Sequence, residues 1–235
     1  MVNGSIKNFY AGKTILLTGS SGYIGYNLIK VLKDLKLKKI ICLTSSKIIR
    51  SNYFKNKEIQ VVQVDYKALK SYEDNIKSVD IIFHLASQTS VYRSEKDLLF
   101  DYESNVKPIQ LIIQACKKHK NRADIIFAGT STQCGLPKKN PVSEEHFDDP
   151  LTTYDLHKTM AESYLKYFTK MKFINGVSLR LTNVYGPGPK SSNSDRGILN
   201  LMIKKALKSE DLTVYGDGNY VRDYIYIDDI ISSFV

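Results

Sequence analysis

A tyrosine followed four residues later by a lysine can serve as a proton-transfer pair, because on a helix the two share a face. A free phenol near pKa 10 is a poor base at neutral pH. Lowering it by about three units takes roughly 4 kcal/mol of differential stabilisation. A neighbouring ammonium supplies part of that by favouring the phenolate. The spacing alone selects nothing, since it occurs at Tyr26/Lys30, Tyr53/Lys57, Tyr66/Lys70, Tyr92/Lys96 and Tyr154/Lys158. With 16 tyrosines and 28 lysines in 235 positions, about two occurrences arise by chance. Context selects Tyr154/Lys158. Upstream, the apolar run Ile125-Ile126-Phe127-Ala128 ends in Gly129-Thr130-Ser131-Thr132-Gln133-Cys134-Gly135. Ligands of an open parallel sheet bind beyond the carboxyl ends of its strands. Thr130, Tyr154 and Lys158 are therefore the candidate catalytic residues. Tyr154 would move a proton, Thr130 would hydrogen-bond the same oxygen, and Lys158 would tune the phenol. The other four pairs read as structural or solvent-facing.

A second motif supplies a place for a cofactor. Thr18-Gly19-Ser20-Ser21-Gly22-Tyr23-Ile24-Gly25 follows the apolar run Ile15-Leu16-Leu17 and opens a helix-patterned segment over 23–35. Strand, glycine turn and helix form a pyrophosphate cradle. One glycine allows the sharp turn, one lets backbone approach phosphate, and one lets the helix pack closely with its N-terminus toward the anion. Gly19, Ser21, Gly22, Tyr23, Ile24 and Gly25 are the candidate contacts. The dinucleotide fingerprint places an acid about 20 residues further on, against the ribose 2′-hydroxyl. Here the second strand ends in Thr44-Ser45-Ser46-Lys47, with Arg50 beyond. Hydroxyls followed by cations suit a 2′-phosphate. Thr44, Ser45 and Lys47 therefore lean the cofactor, NAD or NADP, toward NADP.

The glycines are spaced by three, and this T-G-x-x-G-x-x-G form resembles the short-chain dehydrogenase/reductase superfamily. The resemblance is to its extended branch, the NAD-dependent epimerase/dehydratase family, which acts on nucleotide sugars. The order of strand-end hydroxyl, loop and helix-borne Tyr154 and Lys158 matches that branch, with Thr130 five residues before Gly135. Matches extend over essentially the whole chain. The resemblance implies that Lys158 also grips the nicotinamide ribose and that Leu85 and Ala86 line the cofactor. It implies that Asp65 caps adenine and that Asn105 supports the active-site lysine. His84 reads as a packed strand residue. Asn183 would lie near the sugar nucleotide and Arg222 would clamp its phosphate as a bidentate fork. The family's 4,6-dehydratases carry Asp-Glu directly after the catalytic threonine, where this chain has Ser131 and Thr132, which argues against dehydration. Cys134 replaces a tyrosine before Gly135, a departure that touches local packing. The implied activity is nucleotide-sugar epimerisation, 4-epimerase-like, through a transient 4-keto sugar. The alternative is an NADPH-dependent reductase of nucleotide 4-keto sugars, and a third reading is a non-catalytic dinucleotide-binding protein. A homodimer through the helices near 95–119 and 152–171 follows by analogy.

These side chains need a scaffold. Apolar strand-like runs at 14–17, 40–43, 59–64, 80–85, 124–128 and 177–181 alternate with helical patterns near 23–35, 67–77, 95–119 and 152–171. The alternation predicts an α/β fold, a doubly wound parallel (Rossmann) sheet with helices on both faces. A turn-rich stretch at 186–197 divides a dinucleotide-binding domain, 1–185, from a partial substrate-binding region, 186–235. The last residues, 227–235, start a helix with Asp228 or Asp229 as N-cap, so the substrate region reads as truncated. The net charge of +10 is spread over expected helix ends and loops, with lysine far outnumbering arginine. No compact nucleic-acid motif accompanies it, so nucleic acid is not an expected partner. No apolar run approaches the roughly 20 residues of a membrane span, and no signal peptide is legible. Three scattered cysteines argue for reduced thiols and against a disulfide or metal site. Together these point to a cytoplasmic protein.

Overall fold

The computed structural model describes residues 4–45, 57–189, 198–214, 216–219 and 221–235. Six strands build one sheet: β1 (Thr14–Thr18), β2 (Lys39–Thr44), β3 (Ile59–Gln63), β4 (Ile81–His84), β5 (Asp124–Thr130) and β6 (Asn175–Leu181). Their order is β3-β2-β1-β4-β5-β6 and every pairing is parallel. β1 is buried along its whole length, as a strand covered on both faces must be. Its side chains alternate between two cores. Ile15 and Leu17 pack with Leu28 and Leu32 of α2 (Tyr23–Leu32) and with Ile230 and Phe234 of α9 (Ile227–Phe234). Leu16 faces the opposite core, with Ile76 of α3 (Lys70–Ile76), Ile109 and Ile112 of α6 (Lys107–His119) and Leu165 of α7 (Thr153–Lys170). The sheet is doubly wound, as expected. β1 and β4 are neighbours where the strand order reverses, the place at which such sheets open a crevice.

Three features depart from the sequence pattern. The single helix expected over 95–119 is α4 (Val91–Lys96), α5 (Leu98–Asn105) and α6. Asp97 leaves helical geometry (φ −142°) and caps α5, accepting from Phe100 N at 2.9 Å. Pro108, which has no N–H to give, falls in the first turn of α6. The C-terminal helix starts at Ile227 behind an extended Tyr226, so neither Asp228 nor Asp229 is its N-cap. Both lie in the first turn, where carboxylates are favoured by the unpaired N–H groups. Unforeseen were α1 (Gly4–Tyr10), α8 (Ile198–Ala206) and a parallel pair, β7 (Asn183–Tyr185) with β8 (Tyr224–Tyr226). β7 and β8 stand on either side of the expected division at 185/186. The chain recrosses it to seat α9 on α2.

Thr18 fastens the ends of β1 and β4. Fully buried, its Oγ1 accepts from Leu85 N at 3.1 Å and Ala86 N at 3.0 Å, and it shares a 2.8 Å hydrogen bond with His84 Nδ1. Thr18→Val keeps the shape and removes the partner of Ala86 N and His84 Nδ1, while Leu85 N keeps its bond to the Thr18 carbonyl at 3.3 Å. Urea denaturation is expected to show a loss of about 1–3 kcal/mol, with Thr18→Ser retaining most of the stability. Equal stability of the valine variant would refute this role for the hydroxyl.

Candidate functional site

At the end of β1 the chain turns at Gly19 with φ +72°. A Cβ there would lie 2.7 Å from Ala86 N and 2.8 Å from the Leu85 carbonyl carbon, so no side chain fits. Gly22 N donates to Gly19 O at 3.0 Å, and a Cβ on Gly25 would lie 2.3 Å from that same oxygen. α2 is thereby drawn tightly onto the turn. Its N-cap, Gly22, offers no side-chain acceptor, which leaves the leading N–H groups available to an anion. Ser21 and Gly22 are exposed, Tyr23 and Ile24 half-buried, and Gly25 is buried. Leu85 and Ala86 form the facing wall, half-buried. This cradle fits a dinucleotide pyrophosphate: the glycines let the turn close against Leu85 and Ala86 and let α2 start directly over Gly19 O.

The turn has a clamp that the sequence did not reveal. The Tyr66 hydroxyl accepts from Gly19 N at 3.1 Å and donates to the Leu43 carbonyl at 2.6 Å. It thus ties the glycine turn to the end of β2. Burial pushes its phenol up to about 12 despite the Gly19 bond, so it serves as a neutral hydrogen-bonding post. Its Tyr66/Lys70 spacing, one of the five, was a signal read only as structural. Asp65 beside it is exposed, its carboxylate accepting from Lys67 N at 2.9 Å. Thr44 is buried at the end of β2 and Ser45 is exposed. Lys47 lies outside the described residues.

Two strands away, Thr130 closes β5. A short 3-10 turn, Ser131–Cys134, follows it. Thr130 N donates to Gln133 Oε1 at 3.1 Å, and the hydroxyls of Thr130 and Thr132 meet at 2.9 Å. Thr132 donates onward to the Asp155 carboxylate, which also accepts from Thr152 Oγ1 at 2.7 Å at the start of α7. The rotamer of Thr130 is therefore set from α7. Gln133 Nε2 reaches Glu162 at 3.1 Å, and Glu162 is gripped by Arg180 Nη2 at 2.7 Å and Ser178 Oγ at 2.7 Å. Burial opposes ionisation of Glu162, but Arg180, Lys166 and Ser178 overcome it and hold the carboxyl down to about 2.

α7 presents Tyr154, half-buried, in its first turn and Lys158 one turn later. Lys158 is 2% exposed; its ammonium donates to the Ala128 carbonyl and stands 4.2 Å above the Phe127 ring. Desolvation pulls it down to about 7, against the charges of Asp101 and Glu162, which favour the ammonium. His84 stacks on Phe127 and bonds Thr18, and burial with nearby Lys158 drives it down to about 3. It is a packed neutral residue, as expected. Asn105 is buried; it donates to the Gln88 carbonyl (3.1 Å) and Asp101 (3.0 Å) and accepts from Ser87 Oγ (2.6 Å).

Thr130, Lys158, Asn105, Leu85, Ala86 and the glycine turn thus gather around the carboxyl ends of β1, β4 and β5. Asn183 and Arg222 lie elsewhere: Asn183 opens β7, and Arg222 stands two residues before β8. Asn183 N and Nδ2 both donate to the Asp223 carbonyl, at 3.2 and 2.9 Å, and Arg222 is exposed beside it. Of the spare Tyr/Lys spacings, Lys30 lies over Tyr26 (4.5 Å) and Lys96 over exposed Tyr92 (4.3 Å). Tyr53 lies outside the described residues. Asp101, His157, Glu162 and Tyr66 were missed, since neither periodicity nor spacing marks a buried polar partner. Among the described residues, no three His, Cys, Asp or Glu side chains gather as a metal site, and no helix is long and apolar enough to cross a membrane.

The model of the "NAD dependent epimerase/dehydratase family" matches residues 15–235. The chain is 27% identical over 230 residues to a UDP-glucose 4-epimerase of Mycolicibacterium smegmatis, covering 94% of this chain and 71% of that protein. It superposes on UDP-glucose 4-epimerase of Thermotoga maritima, solved with UDP-glucose, with a TM-score of 0.85 and 25% identity. That match covers 94% of this chain and 71% of the other. UDP-glucuronic acid 4-epimerase of Bacillus cereus, solved with UDP-glucuronic acid and NAD, gives a TM-score of 0.81 at 28% identity, covering 94% and 71%.

Tyr66→Phe removes one hydroxyl and leaves Gly19 N and Leu43 O without it. Dinucleotide affinity, followed by nicotinamide fluorescence, is expected to weaken about three- to tenfold, the worth of one hydrogen bond. An unchanged Kd would mean the clamp does not shape the cradle.

Proposed function

The chain belongs to the NAD-dependent epimerase/dehydratase family, and on that premise we propose that it epimerises a nucleotide sugar at C4 through a transient 4-keto sugar. The observation that carries the reading is the join between the end of β5 and α7, where Thr130 is linked through Thr132 to Asp155 and buried Lys158, one turn after Tyr154, donates to the Ala128 carbonyl. The pyrophosphate of the dinucleotide would rest on Gly19 to Gly25 and the start of α2. Its adenosine half would run toward Thr44, Ser45 and Asp65, and its other half past Leu85 and Ala86 toward Lys158. When bound, the nicotinamide supplies the hydride acceptor and donor. Tyr154 takes the proton of the C4 hydroxyl and returns it after the keto sugar has turned over. Thr130, held by Thr132 and Gln133, orients that oxygen. Lys158 lowers the phenol through its charge, while Asn105 holds the segment after β4. Asn183 and Arg222 would take the nucleotide side of the substrate.

Water elimination is not part of this reading. Ser131 and Thr132 carry no acid, and Thr132 is already bonded to Asp155. A reductase acting once with NADPH is the second reading. It is favoured by the missing carboxylate at the end of β2, where Thr44 and Ser45 stand. That same feature keeps the lean to NADP as the finer proposal on the cofactor. The reading includes a cytoplasmic homodimer formed through α5, α6 and α7. Exposed Leu98, Leu99, Leu156 and Tyr164 on α5 and α7 support that surface. Residues 1–185 would serve the dinucleotide and 186–235 part of the sugar nucleotide.

Tyr154→Phe is expected to lower kcat about 10²- to 10⁴-fold while dinucleotide affinity stays within about twofold. Formation of the C4 epimer from UDP-hexoses, followed by NMR, is the assay. Full activity in this variant would refute the assignment, and steady consumption of NADPH with a 4-keto sugar would favour reduction over epimerisation. The pH profile adds a check. The Lys158 ammonium is lost as pH rises through about 7, so kcat should decline on that alkaline side. A rate still rising there would contradict the role of its charge.

A further inference from the structure

The polar cluster between α5 and α7 contains more than the proposed reaction uses. Asp101 has no solvent exposure, and three donors fill its carboxylate: Gln88 Nε2 at 2.8 Å, Asn105 Nδ2 at 3.0 Å and His157 Nδ1 at 2.7 Å. Gln88 Nε2 also reaches the Ser90 carbonyl at 2.8 Å, and Asn105 holds Gln88 and Ser87. One carboxylate therefore joins α5, the segment after β4 and the catalytic helix. His157 is 8% exposed, lies edge-on to Tyr102 and immediately precedes Lys158. A buried anion is costly unless its lone pairs are filled and a cation faces it. Here the lone pairs are filled by neutral donors and the histidine, and the Lys158 ammonium, on the residue after His157, lies within the field of the carboxylate.

We propose that Asp101, oriented by His157, is a positioning residue that fixes α7 against the segment 86–90 and supplies the buried negative charge facing the Lys158 ammonium. The inference rests on the reading of Lys158 as the group that tunes Tyr154. The charges of Asp101 from α5 and Glu162 from α7 act on Lys158, which in turn acts on His84 of β4, with Phe127 and Ala128 of β5 beneath and Tyr154 one turn earlier on α7. Glu162 is already committed to Arg180, and His84 is neutral. The donors on Asp101 include no Arg or Lys, so its charge is the one left to act on Lys158. Around Asp101 itself stand His157, Asn105 and Gln88, while Asp155 is turned away to Thr132 and Thr152.

Charge and packing make opposite predictions for two variants. Asp101→Asn keeps the shape and removes the charge; His157→Gln keeps a donor and leaves the charge in place. The ¹⁵N resonance of the Lys158 side chain, assigned with Lys158→Arg, is titrated in the free protein without dinucleotide or sugar. Asp101→Asn should move its midpoint acidward by about one pH unit, and His157→Gln should not move it acidward. In turnover, Asp101→Asn should shift the alkaline limb of kcat by the same amount with KM within about twofold. A wild-type titration in Asp101→Asn, or equal acidward shifts in both variants, would overturn the proposal. If Asp101→Asn does not fold, Asp101→Glu keeps the charge and should leave the midpoint near wild type; an acidward shift there also overturns it. Absence of sugar turnover in the wild type would sink the functional reading, and the titration of the free protein would remain decisive for Asp101.

Discussion

The ends of β1 and β4 come so close that only bare backbone passes between them. Gly19 turns against Leu85 and Ala86 with room for no Cβ, and the Thr18 hydroxyl, one residue earlier, accepts from both of their N–H groups. This closeness is what lets two neighbouring strand ends form one cradle wall. It also explains why α2 starts where it does. Gly22 and Gly25 fold back over Gly19 O, so the helix N-terminus, with its uncommitted N–H groups, points across the gap. Tyr66 then closes the third side by joining the turn to β2. Strand pairing, turn geometry and anion affinity are one arrangement.

On the other side of the crevice the controlling physics is buried charge. Lys158, Glu162 and Asp101 all sit at the α7 seam, each below 4% exposed. An isolated ion there would neutralise itself. Each is kept in place by a different means. Glu162 has Arg180, Ser178 and Gln133; Asp101 has three hydrogen-bond donors; Lys158 has a carbonyl, an aromatic face and the fields of both acids. Because Gln133 also holds Thr130 and Asp155 holds Thr132, the same network that neutralises α7 sets the rotamer of the strand-end hydroxyl. Electrostatic cost and the geometry of the candidate site are therefore settled together.

The sheet was legible because a strand covered on both faces reads as an apolar run, as β1, β2, β4 and β5 do, while the edge strands β3 and β6, only partly buried, still carry enough apolar residues to be placed. The glycine turn was legible because glycines mark where side chains cannot go. Helix boundaries were less so. The break at Asp97 depends on a cap that competes with helix continuation, and α9 starts at a tyrosine with no capping side chain. β7 and β8, three residues each, are too short for a period. Tyr154 and Lys158 could be chosen among five look-alikes only through neighbouring elements. Their burial could not: the spacing says that two side chains share a face, not that the face looks into a core. Asp101 and His157 are 56 residues apart in sequence, and nothing local links them.

The two halves of the chain are also coupled through α2. The Tyr23 hydroxyl donates to the Gly186 carbonyl at 2.8 Å, and Asn27 Nδ2 donates to Pro187 O at 3.1 Å. A Cβ on Gly188 would lie 2.3 Å from the Tyr23 ring, so that segment lies flat on the helix. α9 packs on the same helix through Ile230 and Phe234. Residues 186–188 follow β7, whose partner β8 adjoins Arg222, so the helix that would face the pyrophosphate also seats the strand pair expected near the sugar nucleotide. Movement of α2 on the glycine turn must displace the 186–188 segment or break its two hydrogen bonds. The glycine turn and the β7–β8 pair are therefore both seated on α2, one through its first residues and the other through the 186–188 segment and α9.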